Sequence, residues 1–290
     1  MATVERGKTL TGLDFYRICG LRRSVRWFKT WKPVEREKIQ RILEVVRVAG
    51  SSPGNLQPWR AVVVEQAKLS SERRERLLYA DNMQAPQALA PVWIYWFGDT
   101  TVVRPEVFKQ RLSEMLDAGS APTSHGWSRE VMEGIIDRGE EAPEGLPALQ
   151  EIAYHMPPEF PPQAAYSETV GAAVIGLFAA INEGLGTTLC MAAAPSKVHI
   201  VLEELGVPQT WVPVWMQLIG YPAEDAEAGG LRPRLPFEEI FYEGDARTSF
   251  RRDPAVVCEL ESAGVLGAPA PVPGRFEELK RLAQMFGYPI

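Results

Sequence analysis

The spacing of apolar residues divides the first part of the chain into two helices and a strand. Residues 13–20 predict a short helix, and residues 33–49 predict a longer one that carries Pro33 in its first turn, where proline is tolerated. The apolar positions that recur at three- and four-residue steps in the longer helix are Ile39, Ile42, Leu43, Val46 and Ala49. Residues 50–57 are rich in glycine, serine and asparagine, which favours a structured loop. The β-branched run Trp59–Glu65 then predicts a buried strand.

Three more apolar segments complete the predicted core. The runs 91–98 and 212–221 predict strands, and the small-residue run 167–183 predicts a helix buried on all sides. The longest apolar stretch, 170–181, falls short of the roughly 20 residues that a membrane-spanning helix needs. Helices and strands alternate without a regular β-α-β period.

Two regions depart from this core pattern. Residues 100–162 predict helices and loops ending in a proline cluster, and we interpret them as an insertion. After Gly244 the chain continues through an Ala/Pro/Gly-rich stretch to a predicted last helix at 276–285. This C-terminal extension is expected to pack on its own subunit or on a neighbouring one.

Composition narrows the class of protein. The 290 residues are 46% hydrophobic and 23% charged, which suits a globular core. The formal net charge of −6 gives no basic field, so neither a nucleic-acid partner nor a membrane is expected. Three cysteines without C-x-x-C spacing and no visible signal segment lead us to expect a cytoplasmic protein.

The motifs of protein-based catalysis are missing from the sequence. The three histidines, His125, His155 and His199, have no metal-binding spacing, so no metal site is expected. There is no G-x-S-x-G elbow, no Walker loop, and no G-x-G-x-x-G at a strand-to-helix turn. We therefore expect no catalytic residue on the protein, with the chemistry supplied by a bound cofactor.

Two arginine clusters and one polar loop are the candidate cofactor contacts. Guanidinium groups suit phosphate binding, so Arg22, Arg23, Ser24 and Arg26 form a candidate clamp, and Arg232 and Arg234 share one face of an extended segment. The polar loop consists of Ser51, Ser52, Pro53, Gly54, Asn55 and Gln57. Taken singly, each cluster also fits a solvated basic turn or a simple strand-initiating loop.

These motifs together resemble the nitroreductase superfamily. The ordered landmarks are RRSVRWF, the segment from PVEREKIQ to GNLQPWRAVVVE, NEGLGTTLC, VPVWMQLIGYP and RPRLPFEEI. The resemblance covers residues 12–244 as one FMN-binding domain, is weakest across the insertion at 100–162, and leaves 245–290 as an extension. It implies an α+β fold with a central, mostly antiparallel sheet flanked by helices, in a domain-entwined homodimer with FMN at the subunit interface.

The resemblance also implies roles for individual residues. The implied cofactor-binding residues are Arg22, Arg23, Ser24, Arg26, Ser51, Ser52, Pro53, Asn55, Gln57, Leu189, Cys190, Met191, Ala192, Arg232 and Arg234. The residues of the 51–57 loop are expected to come from the partner subunit. Trp127, Tyr154 and His155 are candidates for contacting an aromatic substrate, although anchoring of the insertion explains each equally well.

The reaction is less defined than the cofactor. The resemblance implies an NADH- or NADPH-dependent reductase of nitroaromatic, quinone or related electrophilic molecules, with reductive dehalogenation as an alternative. Pro53 and Met191 depart from the usual family pattern, which affects the choice of substrate more than FMN binding. A flavin-binding protein without turnover is the alternative of another class.

Overall fold

The computed structural model describes residues 12–120, 126–143, 157–268 and 270–289. Ten helices and four strands lie in these ranges. The helices are α1 Gly12–Leu21, α2 Arg36–Ala49, α3 Ser71–Ala80, α4 Ala85–Leu89, α5 Pro105–Asp117, α6 Arg129–Arg138, α7 Phe160–Asn182, α8 Val198–Leu205, α9 Pro254–Ser262 and α10 Arg275–Phe286. The strands are β1 Trp59–Glu65, β2 Val92–Asp99, β3 Gly186–Cys190 and β4 Trp211–Gly220.

The four strands form one antiparallel sheet in the order β1-β2-β4-β3. Strand β1 coincides with its predicted range, and β2 and β4 are each displaced by one residue from theirs. The sequence did not predict β3, an edge strand of five residues that pairs with the end of β4. The predicted α+β class with an antiparallel sheet flanked by helices is confirmed.

The core lies on both faces of β2. Trp93, Tyr95 and Phe97 point to one face, where α3 and α8 cover the sheet. Ile94 and Trp96 point to the other face, against α2 and α7. Strand side chains alternate between faces, so a strand that is buried throughout reads as an uninterrupted apolar run.

Two predicted helix boundaries were wrong. Helix α2 begins at Arg36, so Pro33 precedes the helix instead of lying in its first turn. Helix α7 begins at Phe160, seven residues earlier than predicted, because its two prolines at 161 and 162 occupy the first turn, where their missing amide donors are not needed.

Helix α7 also corrects two further expectations. With 23 residues it is long and apolar enough to cross a membrane by length and composition alone, but its contacts with β2, β4 and α2 are those of a core helix. It is not buried on all sides, because Tyr166 and Val174 are exposed on the side turned away from the sheet. Together with Phe15 of α1 and Val45 and Val48 of α2, they form an apolar surface, the α1/α2/α7 face, that no described residue covers.

The insertion and the C-terminal extension pack against different parts of the subunit. Helices α5 and α6 share a small core of their own, which includes Phe108 and Met132. Residues 232–262 form an arm whose side chains are largely exposed. The chain then returns, and α10 packs Phe286 against Trp27 with 5.7 Å between ring centroids. The last part of the extension therefore packs on its own subunit.

Candidate functional site

Four arginines from two distant segments meet at one surface of the subunit. Burial lowers the pKa of Arg22, and the positive charge of Arg234 lowers it further. Burial and the charge of Arg232 likewise lower the pKa of Arg26. Within the described part of the chain none of these four guanidinium groups forms an ion pair. We call Arg22, Arg26, Arg232 and Arg234 the arginine cluster; the charge of Glu224 offsets part of that of Arg26, and the remaining positive charge suits an anion such as a phosphate.

The segment that carries Arg22 and Arg26 is held along β3 and β4. Val25 donates a backbone hydrogen bond to Thr187 at 3.2 Å, and Lys29 donates one to Tyr221 at 2.8 Å. Val25 and Phe28 are buried beneath the segment, which leaves the arginines on its outer side.

Ser24 lies with the arginine cluster, whereas the side chain of Arg23 points into the subunit. Ser24 accepts a 3.4 Å hydrogen bond from Arg22 through its hydroxyl, and its carbonyl accepts a 2.9 Å bond from Arg26. The Arg23 side chain is buried instead, where it donates to the Gly20 carbonyl and pairs with Glu227 at 2.6 Å. The guanidinium of Arg23 thus has partners inside the subunit, unlike those of the arginine cluster.

The end of β3 presents a neutral surface. Leu189 and Cys190 are half-buried, Met191 is exposed and Ala192 is buried. Burial, with a smaller effect of Asp81, raises the pKa of the Cys190 thiol to about 12, and the thiol contacts the Met216 carbonyl at 3.4 Å. The thiol is therefore protonated at neutral pH and is not a nucleophile.

The polar loop at 51–57 is tightly built. Gly54, Asn55 and Gln57 adopt φ values of 59°, 57° and 50°, in the left-handed region. The Ser52 hydroxyl donates to the Glu168 carboxylate on α7 and accepts the Gln57 amide at 2.9 Å. The Gln57 side chain donates to the Asn55 side chain at 2.7 Å. Ser51 and Pro53 are exposed on the outer side of the loop.

The loop and the arginine cluster lie far apart in one subunit. The loop leads into β1 at Trp59, which pairs with Gly98, whereas the arginine segment lies beside Thr187 of β3. Thr187 pairs with Ile219, and Ile219 pairs with Val92 at the other end of β2. β1 and β3 are the two edges of the sheet, so the separation is roughly 14 Å across the sheet and roughly 20 Å along it. One chain therefore places the arginine cluster beside β3 and away from the loop.

The insertion contacts the loop from its own subunit. The ring of Phe108 on α5 fills the space beside Gly54, and Leu56 belongs to the same apolar cluster. Trp127 packs against Phe108 at 6.4 Å between ring centroids. Tyr154 and His155 lie outside the described residues, so their predicted roles stay predictions.

Some residues that shape the site carry no sequence signal. Glu168 and Glu224 lie in unremarkable segments, and their partners are distant along the chain. Asp81, which is 2% exposed, lies beneath the end of β3 at the end of α3, and burial raises its pKa to about 6. No group of three or more His, Cys, Asp or Glu residues suited to a metal ion occurs in the described ranges.

Known proteins share both sequence and fold with this chain. Residues 21–92 match the model of the nitroreductase family. The iodotyrosine deiodinase of Nematostella vectensis is 25% identical over 234 residues, which cover 78% of this chain and 74% of that protein. A nitroreductase-like protein of Streptococcus mutans superposes with a TM-score of 0.61 at 20% identity, over 80% of this chain and 98% of that one. An Exiguobacterium sibiricum protein described as a nitroreductase in complex with FMN gives a TM-score of 0.59 at 22% identity, over 78% and 95%.

Proposed function

We propose that this chain, whose residues 21–92 match the nitroreductase family, is an FMN-dependent oxidoreductase that takes hydride from NADH or NADPH and reduces an electrophilic small molecule. The observation that carries this proposal is the arginine cluster, whose four guanidinium groups lie together without an ion pair in the described part of the chain. Burial, together with repulsion from neighbouring arginines, lowers the pKa of Arg22 and Arg26, and a group with two negative charges, such as the FMN phosphate, would relieve that repulsion.

The residues present fit this cofactor. FMN, when bound, supplies the hydride-accepting and hydride-donating chemistry. The arginine cluster would hold its phosphate, with the Ser24 hydroxyl beside the ribityl chain. Leu189–Ala192 would face the ring system, and their neutral character leaves the redox chemistry to the cofactor. Arg26 is our candidate for the positive charge that stabilises a reduced, anionic ring.

We also propose a homodimer, because one subunit holds only part of the site. The polar loop would reach the ring system from the partner subunit, since it lies too far from the arginine cluster of its own. The α1/α2/α7 face supplies an apolar surface for the contact, and the arm at 232–262 carries exposed Leu235, Phe241 and Phe250. A paired apolar surface of this kind is typical of obligate dimers.

The dimer is tested by a charge placed in that face. We expect Val45→Glu to sediment as a monomer and to lose bound flavin, because a carboxylate in an apolar interface is left unpaired. Phe276→Glu changes an exposed apolar residue on α10 and should keep both the dimer and the flavin. A wild-type protein that sediments as a monomer with flavin bound would refute the dimer.

The substrate is proposed as a nitroaromatic, quinone or related acceptor. Reductive dehalogenation is the second candidate, favoured by the 25% identity to iodotyrosine deiodinase. The two differ in the bond that is broken, so an acceptor screen with a nitroaromatic, a quinone and an iodinated phenol separates them. Release of iodide under anaerobic reducing conditions would favour the dehalogenase.

The cofactor and its reduction are tested by absorption spectroscopy. We expect the purified protein to carry a flavin spectrum, the released chromophore to run as FMN on chromatography, and the spectrum to bleach when NADPH or NADH is added anaerobically. A flavin that dithionite bleaches but neither nicotinamide does would favour a flavin-binding protein without turnover. A colourless protein that FMN does not reconstitute would refute the proposal.

The site assignment is tested by substitution. Arg22→Ala and Arg232→Ala each remove one guanidinium from the cluster and should weaken FMN binding by about tenfold or more, since a hydrogen bond to a charged group is worth about 1.5–3 kcal/mol. Arg36→Ala removes an exposed arginine at the start of α2 and should bind FMN as the wild type does. Wild-type affinity in both cluster variants would refute the assignment.

A further inference from the structure

The C-terminal extension contacts both segments that carry the arginine cluster. Leu231, which directly precedes Arg232, donates a 2.8 Å backbone hydrogen bond to Ala268 and accepts a 3.0 Å bond from Ala270. The extension also reaches the end of α1, where a methyl group at Gly20 would lie 2.8 Å from the Cα of Val265. The C-terminal extension thus holds the backbone at Leu231, next to Arg232, in place.

A buried ion pair links the extension to the first pair of arginines. Glu224 is fully buried, and one carboxylate oxygen accepts the backbone amides of Arg26 and Trp27 at 2.5 and 3.0 Å. The other oxygen pairs with Arg275 of α10 at 2.6 Å. Arg275 pairs through its second nitrogen with Glu278 at 2.8 Å. A carboxylate satisfied by two amides and one guanidinium is fixed in position, and it fixes the backbone at Arg26.

The side chains of the arginine cluster carry like charges that repel one another. Burial and, after it, the charges of neighbouring arginines lower the pKa of Arg22 and Arg26, so contacts that fix the backbone beneath these side chains favour keeping them together. At Leu231 these contacts come from Ala268 and Ala270 of the extension; at Arg26 the contact comes from Glu224, which Arg275 of the extension pairs with, in addition to the backbone bonds of the segment to the sheet. We propose that Arg275, acting through Glu224, is a positioning residue that holds the arginine cluster in the geometry that binds the cofactor phosphate. This inference rests on the proposed FMN site, and it adds a role for the C-terminal extension.

The test compares FMN with riboflavin, which lacks the phosphate. Apoprotein is titrated with each flavin, and the ratio of the two Kd values reports the phosphate contribution alone. We expect Arg275→Met to lower the preference for FMN by about tenfold or more, because at least one charged contact to the phosphate is lost. The affinity for riboflavin should change little. Arg281→Met is the matched control, because Arg281 lies on the same helix, is exposed and has no ion pair in the described ranges.

A second variant keeps the test valid if Arg275→Met does not fold. In Arg275→Met the buried Glu224 charge keeps its two backbone donors but loses its charged partner. The double variant Glu224→Gln/Arg275→Met removes both charges and keeps an amide oxygen for the backbone donors. The same loss of FMN preference is expected. A wild-type preference in the folded variants, or an equal loss of affinity for FMN and riboflavin, would overturn the positioning role.

Failure of the underlying site assignment gives a different result. If the wild-type protein binds FMN and riboflavin equally, the arginine cluster does not bind the phosphate, and the proposed site is refuted together with the role of Arg275. If the wild type prefers FMN and the Arg275 variants keep the same preference, the proposed site stands and the positioning role alone is refuted.

Discussion

Replacing Gly54 by alanine tests whether the insertion supports the polar loop. Gly54 has a φ of 59°, and a methyl group there would lie 2.6 Å from Cδ2 of Phe108 and closer still to Cε2. The ring cannot move aside without displacing its neighbours, since Phe108 is buried in the cluster with Leu112 and Met132. The substitution therefore moves either α5 or the loop.

The expected cost has two parts. An L-residue in the left-handed region costs about 1 kcal/mol relative to glycine. The ring must also retreat by about 1 Å to reach an ordinary carbon contact, and overpacking of this kind costs about 1–3 kcal/mol. We expect Gly54→Ala to lower the free energy of unfolding by about 2–4 kcal/mol.

Gly119→Ala isolates the contact from the backbone strain. Gly119 follows the same helix, has a φ of 64° and has no atom within 4 Å of an added methyl group, so only the first part applies. Urea unfolding of both variants, followed by circular dichroism, gives the difference. Equal destabilisation by the two substitutions would refute the coupling between Phe108 and the loop. If the loop lines the flavin, Gly54→Ala should also release flavin more readily than Gly119→Ala.

Two further changes probe the buried polar groups. Burial raises the pKa of Asp81 from 3.8 to about 6, which corresponds to at most about 3 kcal/mol and to about 1–2 kcal/mol with solvent screening. A raised carboxyl pKa contributes stability below pH 4, and this stability is lost as the pH rises through 6. Asp81→Asn should therefore stabilise the protein at pH 8 and not at pH 4, and a pH-independent difference between the two proteins would contradict this. Ser52→Ala removes the hydrogen bonds to Glu168 and Gln57 and should lower the free energy of unfolding in urea by about 1–3 kcal/mol. Ser51→Ala removes an exposed hydroxyl and should change that free energy by no more than about 0.5 kcal/mol. Similar free energies of unfolding for the two variants would show that the Ser52 bonds contribute nothing.

The accuracy of the sequence prediction followed the strength of the local pattern. Strand β1 was predicted to the residue because its β-branched run is bounded by Pro58 and by a change to polar residues after Glu65. Strand β3 has two threonines in five residues, and its extended form depends on pairing with β4. Its first residue must be small because Val25 lies 2.9 Å from the place where a Cβ would be. That requirement comes from a segment 161 positions away and leaves no local pattern.

The candidate site shows the same limit. The residue types of the arginine cluster suggested an anion, but the resemblance to a family was needed to join Arg26 with Arg232. The partnership of Glu224 with Arg275 has no such guide, because the two residues are 51 positions apart and neither belongs to a motif. A carboxylate that binds backbone amides is visible only once the backbone has been placed.

In the proposed homodimer the arginine cluster and the polar loop are two half-sites of one cofactor site, and each comes from a different subunit. A four-stranded sheet with the arginine cluster at one edge and the polar loop at the other has no way to enclose a ligand alone. In the proposed homodimer each half-site gains from being rigid before two subunits meet, because ordering it on binding would cost about 1–2 kcal/mol for every residue fixed. The chain supplies that rigidity locally: Phe108 and Glu168 hold the loop, and Glu224 with Arg275 holds the arginines. The insertion contacts the loop and the C-terminal extension contacts the arginine segment, so each would support one half-site of the proposed homodimer.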